Sequence, residues 1–232
     1  YGTSFESTPR FFELMEYLQG GQLGTISYAK DTEKIKEIAI QAAAALAYCH
    51  NNRIIHKDVK PGNFFFRDKE HKQLVLGDFG IASLCDEDEL MHQTQQARTP
   101  IYAAPEMYIS IDDNVEIDGK VDFYSLGILL MYVWTGQNPF KENERSMTNM
   151  KRLGELPYPK DAPVHILQIM QGLTVVDPKK RWGFDEVKRW YEGEFVTVEK
   201  KSLVHYSILN FDHEKNLVAN DPAELALLME QD

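Results

Sequence analysis

Apolar and polar positions divide this chain into elements before any single side chain needs interpreting. From Asp31, "DTEKIKEIAIQAAAALAYCHNN" places Ile35, Ile38, Ala39, Ala42, Leu46 and Cys49 at three-to-four spacing. That period predicts a buried helix, with Asp31 or Thr32 as its N-cap. Upstream, "RFFELMEYLQGGQL" runs from apolar residues into Gly20 and Gly21, the pattern of a strand ending in a turn. Downstream, "FFF" (Phe64 to Phe66) and "KQLVLG" predict two short strands around a charged turn, Arg67 to Lys72. From Ile81 to about Thr99 the residues are polar and acidic without a period, which predicts a mobile surface loop.

The second half reads mostly as helix. Asp118 to Gly136 is apolar with Gly136 as its stop, and amphipathic helices are expected at Arg145 to Leu153, Pro163 to Leu173 and Phe184 to Glu192. A last helix is expected from Asp221-Pro222, where Asp can cap, Pro suits the first turn and Glu224 completes a capping-box spacing. "EFVTVEKKSLVHYSILNF" mixes strand-like alternation with charges and predicts no definite element. The fold class is therefore α+β and mainly α, with a short β-hairpin.

Composition narrows the functional classes. A chain of 232 residues, 43% of them apolar, can bury a sizeable core in one or two domains. The net charge of −11 disfavours a nucleic-acid partner, and Lys179-Lys180-Arg181 is too short a basic run, with acids close by, to override it. Cys49 and Cys85 make no disulfide framework and no signal-peptide pattern opens the chain, both in keeping with a cytoplasmic protein. The most apolar run, "LGILLMYVW", falls well short of the roughly 20 residues a membrane span needs. Gly20, Gly21 and Gly24 do not have the G-x-G-x-x-G spacing of a phosphate loop.

One stretch concentrates reactive residue types: "RIIHKDVKPGNFFF", Arg53 to Phe66, between the first helix and the first strong strand. Alone it could be a polar turn whose charges face water. A second element changes that reading, because "LGDFGIA" sets Asp78 at the end of an apolar strand, fifteen positions after Asn63. A hairpin would bring Asn63 and Asp78 to one end, where an amide oxygen and a carboxylate can share a hard divalent cation. Asp58 lies within reach without being needed as a ligand, and Lys60 adds a cation. Phosphoryl transfer needs such parts: Mg²⁺ on oxygen ligands, a carboxylate to orient the acceptor hydroxyl, and positive charge for the transferring group.

With these residues in place the chain resembles the eukaryotic-type serine/threonine protein kinases. "HKDVKPGN" is similar to the catalytic loop H-R-D-L-x-x-x-N and "DFG" to the metal-binding motif, while "APE" at Ala104 to Glu106 closes a segment of the expected size. "DFYSLG", Asp122 to Gly127, resembles the family's buried-helix motif, and "DPKKRW" the stretch whose arginine pairs with the APE glutamate. Lys60, APE and the Asp122 motif argue against the small-molecule phosphotransferases, which can share the H-x-D-x-x-x-x-N loop.

The resemblance implies roles residue by residue. Asp58 would orient or deprotonate the substrate hydroxyl, Lys60 would neutralise the transferring phosphoryl, and Asn63 with Asp78 would hold Mg²⁺. Glu16 and Leu18 would offer backbone groups to the adenine of ATP, with Met15 as gatekeeper and Phe65 in the floor of the site. Glu106 and Arg181 would form a buried structural ion pair. His56 would pack under the loop, and Asp122 would accept from its backbone amides. The remaining histidines lack metal-ligand spacing. Lysine at position 60 and Thr99 near Asp58 resemble kinases that act on Ser and Thr. Lys57 replaces the arginine of H-R-D and is a poorer bidentate partner for phosphate, which weakens an expectation of control through Ser83, Thr94 or Thr99.

The same resemblance divides the chain into a hinge strand with a remnant of a small lobe (1–19), a large lobe (20–193) and an extension (194–232). The glycine-rich loop and the lysine–glutamate pair that precede the hinge in the family have no counterpart in Tyr1 to Phe11. The expectation is a part of a larger kinase, inactive or nearly so by itself, whose missing lobe or partner domain is supplied elsewhere. The alternative is a pseudokinase lobe that binds a partner protein.

Overall fold

The computed structural model describes residues 15–80, 82–84, 99–108 and 117–199. Their order is β1 (Gly21–Gln22), α1 (Thr32–Asn51), β2 (Ile54–Ile55), β3 (Phe64–Phe66), β4 (Leu74–Leu76), β5 (Ser83–Leu84), α2 (Lys120–Thr135), α3 (Glu144–Leu153), α4 (Val164–Leu173) and α5 (Phe184–Tyr191). This is the mainly helical α+β architecture expected. Two small antiparallel sheets accompany the helices, β1-β3-β4 and β2-β5.

Helix α1 begins where a side chain can satisfy its free amides: the Asp31 carboxylate accepts from the Lys34 N–H at 3.0 Å, so Asp31, not Thr32, is the cap. The face predicted to be buried, Ile35 through Cys49, is buried. Its alanines keep the side-chain layer thin, and α2 and α5 pack against this helix. Helix α2 is buried on every side from Val121 to Met131, which is why its sequence shows almost no amphipathic period; it is the central rod, flanked by α1 and α4. Each leucine or isoleucine fully removed from water there contributes about 1.5–3 kcal/mol. A Cβ on Gly127 would lie 2.5 Å from the Thr174 methyl, so only glycine permits this approach of α2 to the end of α4. Gly136 ends α2 with φ +68°, the left-handed conformation glycine adopts without steric cost.

The other helices end near their predicted limits. Asn143 caps α3 by accepting from the Ser146 N–H at 3.0 Å, and Gly154 ends it with φ +68°. The Glu186 carboxylate accepts from the Gly183 N–H at 2.7 Å to start α5.

Three local expectations differ. Met15 to Leu18 form no strand; backbone pairing begins at the turn, where the Gln19 N–H meets the Arg67 carbonyl at 3.2 Å and the Gly20 N–H the Phe66 carbonyl at 2.9 Å. Ser83 and Leu84, inside the stretch read as a surface loop, pair with Ile55 and Ile54. Two-residue strands carry no periodic signal, and this pairing depends on a partner far away in the chain. Residues 194–199 form no strand despite their alternation. The rest of that stretch, the helix expected from Asp221, Thr94 and Cys85 lie outside the described residues. No helix among the described residues is long and apolar enough to cross a membrane.

Candidate active site

The hairpin places the first half of the site. Phe64 pairs with Leu76, and one step further the Gly77 N–H donates to the Asn63 carbonyl at 2.9 Å. Asn63 and Asp78 therefore end at the same edge, as the spacing predicts. Between β2 and β3 the chain runs through His56 to Lys60 and a single 3₁₀ turn, Pro61–Asn63, where proline sits at a helix start that needs no N–H from it.

That loop is held from beneath by one buried carboxylate. Asp122, on the first turn of α2, accepts from the Lys57 N–H at 2.8 Å through Oδ1, and from the His56 N–H at 2.9 Å and His50 Nε2 at 2.8 Å through Oδ2. Lys57 has φ +65° and Asp78 +59°, a conformation side-chain-bearing residues adopt at a cost and keep only where their surroundings enforce it. The buried His56 ring joins the two halves of the site. Its Nε2 donates to the Gly77 carbonyl at 3.0 Å, its Nδ1 accepts from the Asp58 N–H at 3.3 Å, and it packs edge-to-face with the Phe79 ring, the two centroids 5.0 Å apart.

Asp58, Lys60 and Asn63 meet, and Thr99 joins them. Asp58 Oδ2 accepts from Lys60 Nζ at 2.5 Å and from Asn63 Nδ2 at 3.1 Å; Oδ1 accepts from the Thr99 hydroxyl at 2.6 Å. Lys60 Nζ also reaches Thr99 Oγ1 at 3.3 Å. Partial burial by itself would raise the Asp58 pKa, but the hydrogen bonds from Lys60, Thr99 and Asn63 and the Lys60 charge outweigh it and hold the carboxyl below its ordinary value. A carboxylate offers about four acceptor positions, and these bonds leave one on Oδ1 for an incoming hydroxyl. Thr99 is thus already engaged, and a phosphate there would stand against the Asp58 charge.

The Asn63 amide gives its hydrogens to Asp58, to the backbone oxygen at 2.8 Å as well as to Oδ2, which leaves its own oxygen as the unspent pole. The Asp78 carboxylate is exposed and accepts only weakly from the Gly80 N–H, at 3.3 Å. One amide oxygen and one open carboxylate fit Mg²⁺, which keeps several waters and takes its other oxygens from phosphates. No group of three His, Cys, Asp or Glu among the described residues competes as a cage.

The Phe65 ring lies against Gly77, where a Cβ would meet it at 3.3 Å, and so flanks the approach to Asp78. Gln22, paired with Phe65 across β1 and β3, donates through its side chain to the Gly62 carbonyl. Met15, Glu16 and Leu18 lead toward this strand pair. Met15 is exposed, and the Glu16 carboxylate meets Arg67 at 3.0 Å. Glu106 and Arg181 stand apart as a buried pair, with guanidinium nitrogens 2.6 and 3.0 Å from the two carboxylate oxygens.

Two residues escaped the sequence reading. His50 shares Asp122 with the loop, and no local pattern shows it. Lys151 is buried against the turn after Thr99; its spacing of four from the buried Met147 was the available signal.

A family model described as protein kinase domain matches residues 1–190. Over 231 residues the chain is 30% identical to a probable serine/threonine-protein kinase of Dictyostelium discoideum, a match covering 93% of this chain and 27% of that protein. It is 30% identical over 210 residues to the probable serine/threonine-protein kinase nek2 of the same organism, covering 85% and 48%. It is 33% identical over 207 residues to the calcium/calmodulin-dependent protein kinase cmkA of Emericella nidulans, covering 82% and 47%. The chain thus spans about half or less of the length of these relatives.

Proposed function

Because the chain belongs to the protein kinase domain family, we propose that the protein it is part of transfers the γ-phosphoryl group of ATP to serine or threonine hydroxyls of protein substrates. The observation that carries this reading is the Asp58 carboxylate, gripped by Lys60, Asn63 and Thr99 with one acceptor position left over, beside the Asn63–Asp78 edge.

In this reading the substrate hydroxyl donates to Asp58 Oδ1. A carboxylate held below its ordinary pKa is a weak proton acceptor, so Asp58 acts chiefly by aligning the hydroxyl, and takes its proton only as the bond to phosphorus forms. Lys60, already on Asp58, presents its charge to the transferring phosphoryl. Asn63 Oδ1 and Asp78 hold Mg²⁺, which when bound offsets charge on the nucleotide phosphates. The backbone at Glu16 and Leu18 receives adenine, with Met15 and Phe65 bounding it. Free Cys49 and the absence of a spanning helix among the described residues accord with a cytoplasmic setting, which belongs to the same proposal.

Phosphopeptide mass spectrometry tests it on the full-length protein with Mg²⁺-ATP and a generic protein substrate, beside its Asp58→Asn variant. Phosphate on Ser or Thr that vanishes in the variant is the expected result. Equally empty spectra would overturn the reading in favour of a lobe that binds a partner without transferring phosphate.

A further inference from the structure

Lys151 is a lysine with no exposed surface, in the last turn of α3. Lysine is almost never fully buried unless its charge is satisfied. Here three backbone carbonyls converge on Nζ: Pro100 at 2.7 Å, Ile101 at 2.7 Å and Ala103 at 2.9 Å. All three come from the turn that directly follows Thr99. An ammonium has three donors around a point charge and matches three converging acceptors, which the flat fork of arginine does not. The Phe140 and Tyr108 rings lie 5.2 and 5.6 Å from Nζ and present their electron-rich faces to it. The Tyr108 hydroxyl donates to the Pro100 carbonyl as well, at 2.5 Å.

The turn is closed on Thr99 and not only on Lys151. The Thr99 carbonyl accepts from the Tyr102 and Ala103 N–H groups at 3.0 and 3.3 Å, while the Thr99 hydroxyl donates to Asp58 at 2.6 Å. A continuous set of bonds therefore runs from the interior charge through the turn carbonyls to Thr99 and Asp58. Neutralising Lys151 would leave the Ile101 and Ala103 carbonyls without this donor and the Pro100 carbonyl with Tyr108 alone, and turning those peptide planes toward other donors would move Thr99.

We propose that Lys151 is a positioning residue for the phosphate acceptor: its buried ammonium sets the 100–103 turn, and through Thr99 the aim of Asp58, so that it governs how the protein substrate is seated and not how ATP is bound. This rests on the reading of Asp58 as the group that orients the acceptor hydroxyl. Residues flanking that hydroxyl in a substrate would pass over this turn, next in the chain to Thr99. A displacement of about 1 Å at such a place is enough to cost about a hundredfold in rate.

The test uses the full-length protein with Lys151→Met, which keeps an unbranched apolar chain one atom shorter and removes the charge, and a peptide substrate chosen from the sites that wild type phosphorylates. The expected result is a peptide KM raised about tenfold with kcat reduced, an ATP KM within about twofold of wild type, and a thermal midpoint within a few degrees. Amide exchange at residues 101–103 should quicken by about tenfold or more, while exchange in α2 stays unchanged. A purely structural lysine would lower the midpoint and leave the peptide and ATP constants of the folded fraction untouched, and that outcome would overturn the proposal. So would a folded Lys151→Met protein with wild-type peptide KM and exchange. Should that variant not fold, Tyr108→Phe, which removes one bond to the same turn, decides: about a threefold rise in peptide KM alone supports the proposal, and no change overturns it. Wild-type protein without Asp58-dependent transfer would overturn the reading of the site and this inference together; active wild type beside an indifferent variant overturns this inference alone.

Discussion

Two ion pairs in this molecule have similar chemistry and opposite surroundings. Glu106 and Arg181 are 1% and 0% exposed, and every Arg181 donor is used: the two carboxylate oxygens and the carbonyls of Lys120, Val175 and Val176. Asp58 and Lys60 are 12% and 30% exposed, and Asp58 keeps an acceptor position open. The first pair is shut off from water with every Arg181 donor spent, so no solute reaches it, and its effect falls on the fold by joining the Pro105–Tyr108 turn to α2 and the chain before α5. The second is partly open to water, and in the proposed reading its remaining acceptor position on Asp58 receives the substrate. In that reading, burial, more than the identity of the acid and base, separates a structural pair from a reactive one.

Mutation should divide the two pairs by readout. Asp58→Asn is expected to lower phosphate transfer by about 10²–10⁴-fold, with the thermal midpoint of the full-length protein within a few degrees of wild type. Transfer that survives in that variant would break the contrast at its reactive end. Glu106→Gln leaves Arg181 as an uncompensated interior charge and should cost about 3–5 kcal/mol in denaturant unfolding. Replacing both partners, Glu106→Leu with Arg181→Met, should recover part of that loss, the share due to the orphaned charge, while the carbonyls of Lys120, Val175 and Val176 lose their donor.

Smaller effects sharpen the comparison. Asp122→Asn replaces one accepting oxygen with an NH2 donor that faces the donors at His56, Lys57 and His50, and should cost about 1–3 kcal/mol of stability with a parallel fall in transfer. Thr99→Val removes one of the bonds that hold the Asp58 pKa down, so the acid limb of the activity profile should move to higher pH, with a stability loss of about 1 kcal/mol. The smallest effect is in the pH dependence of folding. Because the Asp58 pKa is lower in the folded state, its contribution is fully present above the ordinary carboxylate pKa of about 3.9 and is lost as pH falls through the lower folded value. Unfolding curves of wild type and Asp58→Asn should run parallel at neutral pH and converge only in that acid window; convergence near neutrality would mean that Lys60 and Thr99 do not stabilise the charged form.

Much of this was legible in the chain. Helix α1 follows from its three-to-four spacing and from the preference of Asp for caps, the β3–β4 hairpin from two apolar runs around charged residues, and the helix end at Gly136 from a conformation glycine alone takes cheaply. The spacing of Asn63 and Asp78 also led correctly to a shared edge, since a hairpin is a local object. The β2–β5 pairing was not legible, because Ser83 and Leu84 show no period and their partners lie about thirty residues back.

The sequence alone therefore determined the helical and hairpin elements, the family, and the candidates Asp58, Lys60, Asn63 and Asp78, because side-chain type and local period are properties of neighbours along the chain. Tertiary structure decided which charges are buried and which stay open. Asp122 serves His50, His56 and Lys57 from across the molecule, Thr99 turns inward to Asp58, and Lys151 lies inside while the lysines of α1 stay half-buried. The physical reason is that desolvation and saturation of a polar group depend on everything packed around it, and most of those neighbours are distant in sequence.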